Sequence, residues 1–286
     1  MASTRVTAAP LVAPEDIGTL VLDPLTQAAV CTQPGVTTVV RTSRSTYRLP
    51  VLRADGEVGF VSEGAEIPLS SATFDEIIVV PQAIKGLDAL SSELLADAEG
   101  DAAQLIGDRL INATAVAADK AFFNVLPAPA PAGIAAALAA TGTGVQKVNV
   151  SGPWASLDAF VDGAAAVEQA GANLTAWVAN PLDVQQLAKL KTGTGSLLPL
   201  MPAGNDPTQP ARRVLEGRPV YISNQVTPGT VWGLDASRVF TVVRQDAEVV
   251  TDAGPYFSSD RIGVRVTVRL GFGIATEAAI VAVKRS

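Results

Sequence analysis

The chain has no histidine and a single cysteine, Cys31, among its 286 residues. Histidine is the commonest general base and a frequent metal ligand. Its absence excludes a Ser-His-Asp triad, a Cys-His pair and any zinc site that needs imidazole. One cysteine cannot close a disulfide within the chain, which rules out a stapled secreted scaffold and suits a reducing cytoplasm. With no imidazole to activate it, Cys31 reads as a small buried apolar residue. No apolar run approaches the roughly 20 residues needed to cross a bilayer, and the stretch 133–140 is mostly alanine. The first residues, Met1-Ala2-Ser3-Thr4-Arg5-Val6, lack the apolar centre of a signal peptide. A soluble, cytoplasmically made protein with no membrane partner is expected. Neither a Gly-x-Gly-x-x-Gly fingerprint nor a phosphate-cradling Gly-x-x-x-x-Gly-Lys-Ser/Thr is present, and the Thr-Gly-Thr-Gly pieces at 141–144 and 192–195 read as loops. No catalytic, cofactor-binding or metal-binding residue is assigned.

Hydrophobic residues make up 48% of the chain and charged residues 17%, enough for a well-packed core and against dominant disorder. The net charge of -7 argues against a dedicated nucleic-acid binder, which carries a basic footprint. Carboxylates cluster as Glu63 with Glu66, Asp75 with Glu76, and Glu93 with Asp97. Solvated charged faces explain these pairs, and a two-carboxylate hydrolase stays open as an alternative because such pairs are defined by spacing in three dimensions. Two basic groups stand out: Arg41, Arg44, Arg48 and Arg53 near the start, and Arg261, Arg265 and Arg269 near the end. Either they are ordinary solvated strand faces, or they bridge to acidic groups of a neighbouring subunit or to enclosed phosphate.

Residues 1–35 read as an arm interrupted by Pro10, Pro14, Pro24 and Pro34, and 36–40 as the start of a strand. Segments 46–52 and 57–61 flank Ala54-Asp55-Gly56, which predicts a hairpin; 63–68 is a polar loop and 73–80 a further strand. So long an extended excursion, with few aromatics to pin it, would pack poorly on a monomer. Asp101 begins a long helix to about Val125, with an apolar stripe at Ile106, Leu110, Ala113, Ala117 and Ala121 and a charged remainder including Asp108, Arg109, Asp119 and Lys120. Pro127, Pro129 and Pro131 end it. Pro153 opens another helix, with Leu157, Phe160, Val161, Ala164 and Val167 inward; 174–179 is a buried strand; Asn180-Pro181 caps and starts the next helix. Strands are expected at 218–223, 230–234, 239–243, 261–270 and 274–283. In the fourth of these Val264, Val266 and Val268 alternate with Arg265, Thr267 and Arg269.

Several of these stretches, in this order, resemble the major capsid proteins of tailed bacteriophages, with the fold first described in phage Hong Kong 97. Phe60-Val61-Ser62-Glu63-Gly64-Ala65-Glu66-Ile67-Pro68 with Ala72-Thr73-Phe74 is similar to the family's extended E-loop. Ser91-Ser92-Glu93-Leu94-Leu95-Ala96-Asp97 resembles the run before its spine helix. Trp177-Val178-Ala179-Asn180-Pro181, Gly217-Arg218-Pro219-Val220 and Val231-Trp232-Gly233-Leu234 resemble its axial domain.

The resemblance implies an α+β chain: an N-terminal arm at 1–45, an E-loop at 46–85, a peripheral domain with spine helix at 86–132, an axial domain at 133–243 and peripheral C-terminal strands at 244–286. It implies a shell subunit, not an enzyme, that self-assembles as hexamers and pentamers around a double-stranded DNA genome in the host bacterial cytoplasm. A portal protein, a separate scaffold, a decoration protein and packaged DNA on the inner face are the partners it suggests. The loop 191–210 would lie toward the ring centre. Arg48, Glu63 and Glu66 on the E-loop side, and Arg261, Arg265 and Arg269 on the peripheral side, become candidate inter-subunit contacts. The positions that carry the founding member's Lys-Asn crosslink and its assisting glutamate hold Ile67, Asp260 and Thr267, so noncovalent contacts are expected. Set against that family, a fused scaffold is expected to be absent or very short. An encapsulin-type protein compartment shares the fold and stays open as an alternative.

Overall fold

The computed structural model describes residues 29–54, 60–62, 73–91, 93, 101–140, 142, 144–193, 196, 198–201, 213–252 and 254–285. In chain order the strands are β1 (Thr38–Arg41), β2 (Tyr47–Ala54), β3 (Thr73–Val79), β4 (Gln82–Ser91), β5 (Gln146–Val150), β6 (Ala176–Ala179), β7 (Val214–Leu215), β8 (Arg218–Ile222), β9 (Thr230–Leu234), β10 (Val239–Asp252), β11 (Arg261–Ile274) and β12 (Ile280–Arg285). The helices are α1 (Asp101–Phe123), α2 (Ile134–Ala139), α3 (Asp158–Gln169) and α4 (Pro181–Lys189). Strands β1-β10-β11-β4 form one sheet, β5-β12-β9-β6-β8-β7 a second, and β2-β3 a separate ribbon.

The valine alternation in β11 is present as expected: Val264, Val266 and Val268 are buried, while Arg265 between them is exposed. Helix α1 packs on this inner face. Its buried line runs through Ile111, Ala115, Ala118, Ala121 and Phe122; of the expected stripe Ala121 is buried and Leu110 and Ala117 are half-buried, while Ala113 is exposed and the side chain of Ile106 lies outside those described. The larger side chains set the rotation, for the Phe122 ring lies 4.9 Å from those of both Phe123 and Phe272. Alanines alone carry too little area to compete. Asp119, expected on the charged outer surface, is carried inside by the same rotation and is only 5% exposed.

The second sheet is covered on one face by α3 and α4, over Trp154, Phe160, Trp177, Val281 and Val283. Its other face, with Val178, Trp232, Leu234 and Ala282, joins Phe122, Phe272 and Val266 in one cluster. The two sheets therefore share a core through the C-terminal half of α1. Asn180 caps α4 as expected, its Oδ1 accepting the Leu182 N–H at 3.0 Å with Pro181 in the first turn.

Several expectations are corrected. The strand partner of β2 is β3, in register Tyr47↔Val79 to Ala54↔Thr73, and Phe60 to Ser62 form no strand. The expected Asp55-Gly56 turn lies outside the described residues. Residues 82–91, given no strand from sequence, form β4. Helix α3 begins at Asp158 instead of Pro153, because the Trp154 indole is committed elsewhere, donating to Asp183 at 2.9 Å. Strand β10 continues past 243 to Asp252. The last strand starts at Ile280, after a turn of 3-10 helix at Glu277–Ala279. It pairs with β5 and β9, not with the strands of 244–274. Ile280, Val281, Ala282 and Val283 are all fully buried, as a strand covered on both faces requires.

Candidate inter-subunit surface

Among the described residues the β2–β3 ribbon is anchored at its base, where Leu49 and Val51 meet Ala275 and half-buried Tyr47, Ile77 and Phe240. A two-stranded ribbon is marginal by itself in water. Phe60, beyond β2, is fully exposed, and Ile78, on the outer face of the ribbon's base, is 57% exposed. Arg48 pairs with Glu76 at 3.2 Å, but both side chains are largely solvated, so the bridge contributes little to the fold. Arg48 is thus already neutralised within its own ribbon. Glu63 and Glu66 lie outside the described residues. Of the other basic residues near the arm, Arg41 and Arg44 are exposed.

The structure places Arg261, Arg265 and Arg269 along β11, on the face opposite the buried valines. In register, Arg261 lies beside Ser91, Arg265 between Leu87 and Val250, and Arg269 between Ala83 and Gln245. Arg265 is exposed and has no ion-pair partner among the described residues. Arg269 is half-buried, and its Nε finds no hydrogen-bond acceptor. Leu87, in edge strand β4, is 65% exposed next to Arg265. With Val250, Asp252, Pro255, Tyr256 and Gly263 these two line a hollow of about 260 Å³. A largely apolar hollow, rimmed by the Arg265 guanidinium and by Asp252, whose carboxylate accepts the Gly254 N–H, suits a partly apolar segment that brings an acidic group to Arg265. Sequence reading gave the arginines but missed Leu87, because a lone leucine in a mixed run carries no clear period.

The buried carboxylates act as ties between segments. Asp183 accepts the Trp154 indole N–H at 2.9 Å and the Gly229 N–H at 2.7 Å. Asp235 accepts from the Asn173 N–H at 3.0 Å and from the Ser237 N–H and hydroxyl. Asp119 accepts from Val30, Cys31 and Ser223, and burial pushes its carboxyl above the ordinary value. Burial, and next the Asp119 charge, raise the Cys31 thiol well above its usual range. Asp75 and Glu76 are exposed neighbours on β3, Glu93 is exposed, and Asp97 lies outside the described residues. Among the described residues no group of three or more acidic or cysteine side chains could hold a metal.

A family model described as the phage capsid family matches residues 12–285. No curated protein matches the sequence. Among solved structures, the chain is similar to the capsid of an empty GTA particle, at 20% identity and TM-score 0.71, covering 100% of this chain and 94% of that one. It is similar to a structure from Mycobacterium phage Bobi at 19% identity and TM-score 0.69, covering 100% and 95%. A virus-like particle from Pyrococcus furiosus matches at 14% identity and TM-score 0.62, covering 94% and 98%.

Proposed function

The chain belongs to the phage capsid family, and from that membership we propose how it builds a shell. It has the Hong Kong 97-type capsid fold and is a major capsid protein, a structural subunit of the particle. The family match across residues 12–285 carries this reading. In our reading the shell is built from hexamers and pentamers, encloses the double-stranded DNA of a tailed phage, and is assembled in the host cytoplasm without any catalytic role. A portal protein, a separate scaffold and a decoration protein would be its partners. Closed symmetric rings satisfy every subunit's interface at once.

The first sheet with α1 corresponds in this reading to the peripheral domain, and the second sheet with α3 and α4 to the axial domain. Strand β12 then belongs with the axial sheet. The ribbon, marginal alone, gains stability by lying on a neighbour. The Arg265 hollow and the arginines beside it are the surface we assign to receive acidic groups, with Glu63 and Glu66 as donors of negative charge. Support comes from the exposed Leu87, the unpaired Arg265 and the poorly anchored ribbon.

Negative-stain electron microscopy with light scattering on the purified protein tests the reading. Hollow particles or capsomer rings are expected. A stable compact monomer of 29.3 kDa, with its ribbon protected from protease, would overturn it. The virus-like particle among the structural relatives supports a second reading, a compartment that encloses cargo instead of a genome. Uniform small shells that copurify with an enzyme would favour that reading.

A further inference from the structure

A concave site on the second sheet is used by none of the contacts above. Trp232 forms its floor, Val125 just past α1 and Leu138 of α2 wall it, and Lys147, Asn149 and Lys284 stand along its open side. It encloses about 400 Å³, and no acidic residue lines it, although the chain carries a net charge of -7. Lys147 and Lys284 are exposed, and neither has an ion-pair partner among the described residues. Strand register sets their spacing. Lys147 is opposite Ala282 and Lys284 opposite Asn149 in the parallel β5–β12 pair, so both lysines lie on one face. Strand rise and separation put their Cα atoms about 8 Å apart.

The same two strands carry a surface of opposite charge on their other face. Helix α3 packs there, over Val281 and Val283 with Val148 and Val150 beside them. Its outer side presents Asp158, Val161 and Asp162, all exposed. Positions three and four apart share one helix face, so Val161 sits with two carboxylates that are about 6 Å apart along the axis. No lysine or arginine occurs between Lys147 and Lys189, and the acids of that interval are Asp158, Asp162, Glu168 and Asp183. Asp183 is buried, and Glu168 pairs with Arg218 at 2.6 Å. Asp158 accepts the neutral Ser156 hydroxyl at 2.9 Å, and neither it nor Asp162 has an ion-pair partner among the described residues. Two carboxylates four apart on a helix repel each other, and a pair of ammonium groups relieves that repulsion. Within one subunit the sheet stands between this face and the lysine hollow, so the two meet only between copies. Complementary surfaces on opposite faces of one sheet make a head-to-tail contact, which closes into a ring when the rotation between copies allows. Nucleic-acid phosphate would leave the Val125 and Leu138 walls uncovered.

We propose that this hollow receives helix α3 of a neighbouring copy of the chain. Val161 of that copy enters between Val125 and Leu138, and its Asp158 and Asp162 pair with Lys147 and Lys284. The contact joins successive subunits head to tail around a ring. It deepens the shell reading and rests on it, because it requires that copies of this chain assemble.

Carbodiimide crosslinking of particles co-assembled from isotopically light and heavy full-length chains, mapped by mass spectrometry, tests it. Amide links from Lys147 or Lys284 of one copy to Asp158 or Asp162 of another are expected, including mixed light–heavy pairs. A Lys147→Glu/Lys284→Glu variant and an Asp158→Lys/Asp162→Lys variant should each assemble about tenfold less well, because like charges then face each other across the junction. Mixed in equal amounts, the two should recover even-numbered rings, since every junction between unlike variants is complementary again. Circular dichroism of the subunits separates misfolding from lost assembly, and Asp162→Lys alone, past the first turn of α3, replaces the double change if that unfolds the helix. Particles that form without these links, links confined to single chains, folded variants that assemble at the normal yield, or folded variants that stay unassembled when mixed would each overturn the contact and leave the shell reading intact. Lysines shielded from acetylation only while nucleic acid is bound would overturn it in favour of phosphate. An unaltered chain that forms neither rings nor particles would overturn the shell reading, and this contact with it.

Discussion

The carboxylate of Asp119 accepts the backbone N–H of Cys31 at 2.9 Å, across 88 residues of sequence. Its other oxygen takes the Val30 N–H at 3.2 Å and the Ser223 hydroxyl at 3.0 Å. One side chain thus joins the root of the N-terminal segment, the long helix and the turn after β8. Cys31 itself is fully buried beside it, so its thiol stays protonated and unreactive in the native chain.

Removing this tie should destabilise the chain in graded steps. Asp119→Ala leaves the buried Cys31 N–H and the half-buried Val30 N–H without their acceptor and should cost about 2–6 kcal/mol, at roughly 1–3 kcal/mol for each unsatisfied donor. Asp119→Asn keeps one acceptor oxygen but turns an amide nitrogen toward an N–H donor, and should cost less, about 1–3 kcal/mol. Urea unfolding of the two variants gives the order, and an alanine variant as stable as the asparagine one would contradict it.

The same carboxylate should give a pH signature of defined sign. Burial raises its folded value above the ordinary 3.8, so the folded state binds the proton more tightly than the unfolded chain does. Its contribution to stability therefore grows as pH falls through the folded value toward 3.8, and levels off below that. The midpoint of the unaltered chain minus that of Asp119→Asn should rise as the solution is acidified across this window. A difference that falls on acidification would mean the hydrogen bonds outweigh burial.

Two glycine-to-alanine changes should act in opposite directions. A Cβ on Gly233 would lie 2.7 Å from both Trp177 and Val281, in the fully packed second sheet, so Gly233→Ala should cost about 1–3 kcal/mol by overpacking. A Cβ on Gly107, within α1, meets nothing within 4 Å, and Gly107→Ala should stabilise by about 0.5–1 kcal/mol. Calorimetric midpoints of both variants test the packing side by side.

Arg265→Glu should leave the subunit folded and lower the yield of particles. The side chain is exposed, while its neighbour Val266 is 2% exposed on the inner face. Circular dichroism separates the two effects, and unchanged particle yield with an intact fold would remove Arg265 from the assembly surface.

Much of the local structure was written in local sequence. Asn180-Pro181 carries both the side-chain cap and the preset first turn of α4, so no distant residue is needed to start it. The Val264, Val266, Val268 alternation defines two faces of β11 whatever lies against them. The arginines of that strand were therefore legible as one row, and the resemblance of several short motifs gave the family.

What the sequence could not decide was which remote surface each face would meet. The helix period of α1 was correct, but its rotation follows from Phe122 packing on Phe272, and that contact buried Asp119. Strand β12 reads like any apolar strand, and its place between β5 and β9 depends on pairing over more than 100 residues with β5. The hollow at Arg265 exists only because β4, β10 and the turn at Gly254–Ser259 come together. Periodicity is set by backbone geometry within a few residues, so the sequence determined faces, caps and stops. Burial is set by which distant partners remove a face from water, and only the tertiary structure decided that.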